Sequence, residues 1–292
     1  MRLLPHALLE SAARDPAACA IRRGAESLCY GDLARSAEAL ALHLLASGLK
    51  SGDRVALLFE SGPDYALGCY GAWLAGAAVL GLNAAARADE LARVVTHSEC
   101  GFLIVDASHP EAAGLVATLG HSVQVVARDA GRLGVPSTEL AGVGSRTGSP
   151  LPALDPSALA SLIYTSGTTG APKAVMLSHG NLAANAAAII DYLALCATDS
   201  MVCVLPFHYS YGASVLNTHI MVGARLTVEP NLVFPHRVVE TMARERSTGF
   251  AGVPSTFALL SSRVQLERYD LSSLRYITQA GGGMSPALTD RV

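Results

Sequence analysis

Hydrophobic positions in the first half of the chain follow two spacings in turn. Apolar residues recur every three or four positions from Leu33 to Leu44, which predicts a helix that Gly48 ends. Short apolar runs without this period predict buried strands. Strands are predicted at residues 55–59, 102–105 and 123–126, and further helices at residues 64–75 and 89–97. This alternation predicts an α/β protein with layered sheets flanked by helices.

The second half continues the alternation after a change in character. Residues 130–156 include 12 glycine, serine or proline residues and keep no apolar period, so they predict a surface linker. A strand at residues 160–164 then leads into a glycine-rich loop, and a helix follows at residues 181–195. Later strands are predicted at residues 201–205, 225–228, 249–253 and 274–278. The pattern therefore predicts two α/β subdomains, residues 1–129 and 157–292.

Composition is that of a globular protein and narrows the possible functions. The 292 residues are 51% hydrophobic and 15% charged, which is enough apolar surface for a large core. The net charge of -3, without a basic stripe, argues against a nucleic-acid partner. The six cysteines lack zinc-site spacing, and the N-terminus lacks the apolar run of an export signal. We expect a reduced, cytoplasmic setting and predict no metal site.

One uncharged segment, residues 65–86, has the length of a membrane span, which needs roughly 20 residues. Much of it is alanine and glycine, which contribute little transfer free energy. A break at Gly76 fits a buried helix followed by a short strand better. We therefore predict no membrane span.

Residues 165–173 carry the clearest chemistry. This loop combines backbone freedom at Gly167 and Gly170, four hydroxyl side chains and the cation of Lys173, a set that suits a phosphate group. The only other lysine in the chain is Lys50. The glycine spacing is not that of a P-loop nucleoside triphosphatase, and a bare Gly-Thr-Thr-Gly run fits an ordinary surface turn equally well.

A longer stretch distinguishes these alternatives. Residues 162–182 read LIYTSGTTGAPKAVMLSHGNL. In residue type and spacing they resemble the signature of the adenylate-forming superfamily, which includes acyl- and aryl-CoA synthetases, nonribosomal-peptide adenylation domains and luciferases. The resemblance implies the fold of the large N-terminal domain of these enzymes, with ATP and Mg²⁺ as cofactors. The residues that would hold the β- and γ-phosphates are Thr165, Ser166, Gly167, Thr168, Thr169, Gly170 and Lys173.

The resemblance covers essentially the whole chain and implies two more parts of the site. Residues 205–212 resemble the next core motif, in which Tyr209 would be the aromatic gate between the carboxylate and ATP sites. The acid or acyl pocket would comprise Tyr209, Ser210, Gly212, Val253 and Pro254, and the adenine side Gly281, Gly282 and Gly283. Without the family order, the tyrosine could equally be a core aromatic and the glycines a simple turn.

In this superfamily a carboxylate and ATP give an acyl-adenylate and pyrophosphate, and the acyl group then passes to a thiol. The acceptor implied is coenzyme A or the phosphopantetheine of an acyl or peptidyl carrier protein. Relatives that activate amino acids place an aspartate near Ser210 or Gly212 to pair with the substrate ammonium group. Neither position is charged here, so we predict a small-molecule carboxylic acid without an α-amino group, such as a fatty or aryl acid.

The resemblance also implies elements that do not occur in these 292 residues. They are an aromatic-Gly-x-Thr-Glu string, a Thr-Gly-Asp string and a C-terminal lid with its catalytic lysine. We therefore expect an N-terminal portion with no certain catalytic residue, and poor or no turnover by this chain alone. The alternative is a non-catalytic nucleotide- or acyl-binding module of the same fold. The sequence leaves open which acid is used, which thiol accepts it and the oligomeric state.

Overall fold

The computed structural model describes residues 2–142, 150–165 and 173–291. Its strands form two sheets flanked by helices, which confirms the predicted α/β class. The strands are β1 (Cys19–Arg23), β2 (Glu26–Cys29), β3 (Arg54–Leu58), β4 (Ala78–Gly81), β5 (Phe102–Asp106), β6 (Gln124–Arg128), β7 (Thr138–Glu139), β8 (Leu159–Thr165), β9 (Lys173–Ser178), β10 (Ser200–Cys203), β11 (Arg225–Val228), β12 (Gly249–Gly252) and β13 (Tyr276–Gln279). The helices are α1 (Leu4–Arg14), α2 (Tyr30–Ala46), α3 (Pro63–Leu74), α4 (Ala88–His97), α5 (Ala112–Leu119), α6 (His179–Leu193), α7 (Ser210–Val222), α8 (Pro235–Arg244), α9 (Pro254–Arg263) and α10 (Pro286–Thr289).

The smaller sheet aligns five parallel strands, so that their carboxyl ends share one edge. Its order is β13-β12-β10-β11-β1-β2, and only the β1–β2 hairpin is antiparallel. Val202 in β10 pairs with Thr227 of β11 on one side and with Phe250 of β12 on the other. The strand order therefore reverses at β10. Open parallel sheets bind ligands at the carboxyl edge of such a reversal.

The larger sheet contains the hairpin that leads into and out of the glycine-rich loop. Its order is β7-β6-β5-β3-β4-β8-β9, antiparallel only between β8 and β9. Leu80 in β4 pairs with Leu162 in β8. Strand β9 was not predicted from the sequence. Its neighbouring apolar residues Val175 and Met176 are both exposed at the sheet edge, so the run lacks the alternation of a half-buried strand.

Two apolar cores pack against opposite faces of the larger sheet. The first joins the two sheets through α2, α3 and α7, and Tyr70 and Phe207 are among its largest buried side chains. The second is formed with α4 and α5. Along β3, Val55 contributes to the first core and Ala56 to the second. This alternation is what a strand buried on both faces requires, and it explains the continuous apolar run in the sequence.

The uncharged segment at residues 65–86 is a buried helix and strand, as predicted. It contains most of α3 and all of β4, and the chain turns between them at Gly76. Trp73 Nε1 donates a hydrogen bond to the Ala160 carbonyl at 2.7 Å, which fixes α3 against β8. None of the helices in the described ranges combines the length and the apolar character that crossing a membrane requires.

The division into residues 1–129 and 157–292 stays a prediction, but the two sheets do not follow it. Strands β1 and β2 belong to the smaller sheet with β10 to β13, whereas β8 and β9 complete the larger sheet. Within the predicted linker, residues 130–156, β7 pairs with β6, and Glu139 accepts a hydrogen bond from the Ala130 amide at 2.7 Å. Residues 143–149 of that segment lie outside the described ranges.

Candidate active site

The predicted acid and adenine residues lie on segments that leave one edge of the smaller sheet. Residues 205–209 follow β10, residues 253–254 follow β12 and residues 280–283 follow β13. These strands are parallel neighbours, with β12 between the other two. Their carboxyl ends therefore meet at the reversal in strand order. We call this edge the crevice, defined by these three segments and the first turn of α7.

Tyr209 and Ser210 lie where the chain enters α7. Tyr209 is the N-cap residue, its amide donates to the Pro206 carbonyl at 3.2 Å, and 49% of its surface is exposed. Its ring centroid lies 4.1 Å from that of His208. Ser210 is the first residue of the helix and is also exposed. The side chains of Tyr209 and Ser210, two of the predicted acid-pocket residues, are therefore open to solvent at the crevice.

Gly212 is buried, and close packing explains why it is glycine. A Cβ atom at this position would lie 2.1 Å from the Pro206 carbonyl oxygen, where real Cβ contacts stay above 3.0 Å. Any other residue would require α7 or the preceding segment to move. The absence of charge at Gly212 thus follows from packing and carries no information about the substrate. Only Ser210 still supports the argument against an α-amino group.

A contact that was not predicted from the sequence joins two sides of the crevice. Tyr211 Oη and Thr278 Oγ1 lie 2.8 Å apart, which links α7 to β13. Burial raises the pKa of the Tyr211 hydroxyl, so the group stays neutral and can hydrogen-bond at physiological pH. No local pattern could have revealed this pair, because 67 positions separate the two residues.

The predicted adenine-side glycines lie against the predicted acyl-pocket residues. A Cβ at Gly281 would lie 3.1 Å from Val253 Cγ1, and one at Gly282 would lie 3.6 Å from Pro254 Cγ. Among the described residues, nothing lies within 4 Å of the corresponding position at Gly283. The structure therefore brings these two predicted sets together, with an open backbone face at Gly283.

His208 lies behind Tyr209, at the junction of the two sheets. It lines a cavity of about 30 Å³ with Gly81 of β4 and with Ser161 and Ile163 of β8. Its Nε2 atom is buried and has no hydrogen-bond partner among the residues that the structure describes. Burial lowers the pKa of this imidazole from 6.5 to about 4, so it is neutral at physiological pH. The segment after β10 thus shares a cavity with the strand that precedes the glycine-rich loop.

The predicted phosphate-binding residues are described only at the two ends of their loop. The backbone of Thr165 pairs with Lys173 across the hairpin, and Lys173 is exposed as the first residue of β9. The remaining predicted members lie outside the described residues: Ser166, Gly167, Thr168, Thr169 and Gly170. The structure therefore places the lysine at the end of a hairpin whose first strand lines the same cavity as His208.

The later part of the signature, residues 178–181, has a structural role. The Ser178 side chain accepts a hydrogen bond from the Asn181 amide at 3.1 Å, and Asn181 Oδ1 accepts one from the Ser178 amide at 3.0 Å, which forms a capping box for α6. His179 is buried beside Trp73, and burial lowers its pKa to about 4. These residues fix the helix that follows the hairpin.

The donors at the crevice suit a neutral or anionic ligand better than a metal ion. In the parts of the chain that the structure describes, no group of three or more histidine, cysteine or acidic residues could hold a metal ion. Mg²⁺ that binds with a nucleotide takes most of its ligands from water and the phosphates, so a Mg²⁺ ion in the site stays a prediction from the family resemblance. Hydroxyls and an open glycine backbone can instead contact a nucleotide and an acid.

The sequence profile of the AMP-binding enzyme family matches residues 8–292. The chain belongs to this family. The match covers both sheets, including the crevice and the β8–β9 hairpin, and it confirms the resemblance to the adenylate-forming enzymes.

Named relatives include ligases of two kinds. The chain is 32% identical to the L-proline ligase of the L-prolyl-carrier protein from Streptomyces coelicolor, over 88% of this chain and 50% of that protein. It is 30% identical to feruloyl-CoA synthase from Amycolatopsis sp, over 93% of this chain and 52% of that protein. The chain thus spans about half the length of the curated relatives it matches.

Solved structures share the fold. The N-terminal domain of FACL13 from Mycobacterium tuberculosis superposes with a TM-score of 0.87 at 22% identity, over 100% of this chain and 73% of that one. At this level of identity the likeness shows the fold alone. The two-sheet architecture is therefore that of the N-terminal domain of an adenylate-forming enzyme.

Proposed function

We propose that the protein containing this chain uses ATP to convert a carboxylic acid to an acyl-adenylate and pyrophosphate. The acyl group then passes to the thiol of coenzyme A or of a carrier protein. Support comes from the family match, from relatives named as a CoA synthase and a carrier-protein ligase, and from the position of the hairpin beside the crevice.

The observation that carries the proposal is the junction at His208. Its ring centroid lies 4.1 Å from that of Tyr209, the proposed acid gate, and it lines a cavity with β8, which leads into the proposed phosphate loop. An acid near Tyr209 and a triphosphate at the loop would therefore be close neighbours. The reaction needs that arrangement, because a carboxylate oxygen must approach the α-phosphorus while the β- and γ-phosphates are held as the leaving group.

The residues of this chain would act by positioning and by charge neutralisation. Lys173 would pair with the β- and γ-phosphates together with the loop amides and hydroxyls, so that pyrophosphate leaves with its charge partly neutralised. Gly281 to Gly283 would allow the adenine ring to approach the backbone, and Tyr209 would separate the acid from the nucleotide. No described residue is assigned as a general base, because a carboxylate needs no deprotonation.

We propose an acid without an α-amino group as the substrate. A buried ammonium group needs a counter-charge, and Ser210, one of the two candidate positions for the aspartate of relatives that activate amino acids, is neutral. The named relatives act on proline in one case and on ferulate in the other, so they do not decide the question. A fatty or aryl acid fits the neutral side chains of the crevice.

Exchange of labelled pyrophosphate into ATP, measured on the full-length protein with a panel of acids, tests the proposal. We expect exchange that depends on fatty or aryl acids and is weak with α-amino acids. A second assay with coenzyme A or phosphopantetheinylated carrier protein then identifies the acceptor. If the protein binds ATP but no acid supports exchange, the chain is a nucleotide-binding module and the ligase proposal fails.

A further inference from the structure

We propose that the Tyr164 hydroxyl is a positioning group for nucleotide binding, because it fastens the end of β8 to the carboxyl end of α4. Tyr164 is the residue immediately before the predicted phosphate-binding residues. The inference rests on the proposed function in one respect only, namely that the β8–β9 hairpin presents the triphosphate site.

Two short hydrogen bonds define this anchor. Tyr164 Oη lies 2.6 Å from His97 Nδ1 and 2.7 Å from Ser98 Oγ. A phenol can donate one hydrogen bond and accept another, so both contacts can form at once. Ser98 is the buried C-cap residue of α4, and its carbonyl accepts a hydrogen bond from Arg54 Nη1 at 2.7 Å. The anchor point is therefore itself held in place.

The anchor lies on the face of β8 that packs against the second core. Tyr164 packs against the second core and does not line the cavity with His208, whereas Ser161, Leu162 and Ile163 do. Tyr164 therefore acts through the backbone rather than by touching a ligand at the crevice. Positions along a strand alternate between its faces, so a hydroxyl on one face can fix the strand without occupying the other.

The backbone that Tyr164 fixes is the base of the hairpin. Tyr164 pairs with Ala174, and the next pair is Thr165 with Lys173. A shift at Tyr164 would therefore move Lys173, the proposed phosphate ligand, together with the strand end. Binding groups must be held within about 0.5 Å to keep their effect, which is why a hydroxyl on the far face can influence nucleotide affinity.

Tyr164→Phe in the full-length protein tests the anchor, because it removes only the hydroxyl. We expect the KM for ATP to rise about three- to tenfold, with kcat and the KM for the acid unchanged, because losing both hydrogen bonds loosens the strand end that positions Lys173. Amide hydrogen exchange should quicken in the β8–β9 hairpin and not elsewhere. Tyr269→Phe is the matched control, since Tyr269 Oη makes a similar contact to His236 Nδ1 at 3.3 Å, away from the crevice. It should leave the KM for ATP and the hairpin exchange unchanged.

The outcomes separate the anchor from the proposed function. If amide hydrogen exchange in the hairpin is the same in Tyr164→Phe as in the wild type, the hydroxyl does not hold the hairpin and the inference is wrong. If hydrogen exchange is faster but the KM for ATP is unchanged, the hydroxyl only stabilises the fold, and the inference is wrong as well. If the wild-type protein neither binds ATP nor catalyses exchange, the proposed function fails. In that case the proposed role of Tyr164 in nucleotide binding is also wrong. Amide hydrogen exchange still measures whether the Tyr164 hydroxyl holds the hairpin.

Discussion

The β8–β9 hairpin and the crevice present their chemistry in opposite ways. The hairpin belongs to the larger sheet and ends at an exposed lysine, which the sequence marks by its rarity and its glycine-rich surroundings. The crevice belongs to the smaller sheet and is formed by three segments that are far apart in the chain. Its residues are ordinary types that acquire a role only through packing.

This difference teaches that a phosphate site can be encoded locally, whereas an acid site cannot. A phosphate needs amides, hydroxyls and a cation, and one short segment can supply all three. An acid pocket needs a surface of a particular shape, which here depends on close contacts such as the one between Gly212 and Pro206. Removing a charge should therefore weaken ligand binding at the hairpin, and adding side-chain volume should disrupt packing at the crevice.

The largest expected effect is on the hairpin. Lys173→Ala should weaken ATP binding about 10- to 100-fold, because a charge-assisted hydrogen bond contributes about 1.5–3 kcal/mol. Isothermal titration with ATP on the full-length protein measures this. Lys50→Ala is the matched control, since it removes the only other lysine. Equal ATP affinity in the two variants would contradict the phosphate-site assignment.

The crevice should respond to volume instead. Gly212→Ala should lower the free energy of unfolding by about 1–3 kcal/mol, the usual cost of overpacking, because the new methyl group meets the Pro206 carbonyl. Urea unfolding measures the loss. Gly101→Ala is the control, since no described residue comes within 4 Å of a Cβ atom there. A Gly212→Ala variant as stable as the control would show that packing does not define the crevice.

The sequence predicted the layered α/β fold because the central strands of both sheets are short, largely buried apolar runs. The run at residues 55–59 became β3, whose residues contribute to two different cores. The signature at residues 162–182 identified the family, and its two parts have separate roles. The first part surrounds the loop, and the capping box of Ser178 and Asn181 begins α6.

Long-range features were beyond the reach of the sequence. The pairing of β1 with β11 brings the first strand of the chain into the smaller sheet, and no local pattern specifies that partner. The contact of Tyr164 with His97 and Ser98 is equally hidden, because 67 and 66 positions separate the residues. Such contacts depend on which elements become neighbours, and the sheet order decides that.

The smallest effect should come from His208, where the hairpin and the crevice meet. Burial lowers the pKa of its imidazole from 6.5 to about 4. Between these two pH values the unfolded chain binds a proton at this imidazole and the folded chain does not. Stability should therefore fall as pH drops below 6.5, until the folded state also binds the proton near pH 4.

His208→Asn should lose about 1–2 kcal/mol less unfolding free energy than the wild type between pH 7 and pH 5. Urea unfolding at both pH values measures this, and because His179 titrates in both proteins, the difference isolates His208. The exposed His121→Asn serves as the control. If the pH dependence of His208→Asn matches that of the wild type, the imidazole is solvated in the folded state, and the cavity that it lines with β8 is open to water.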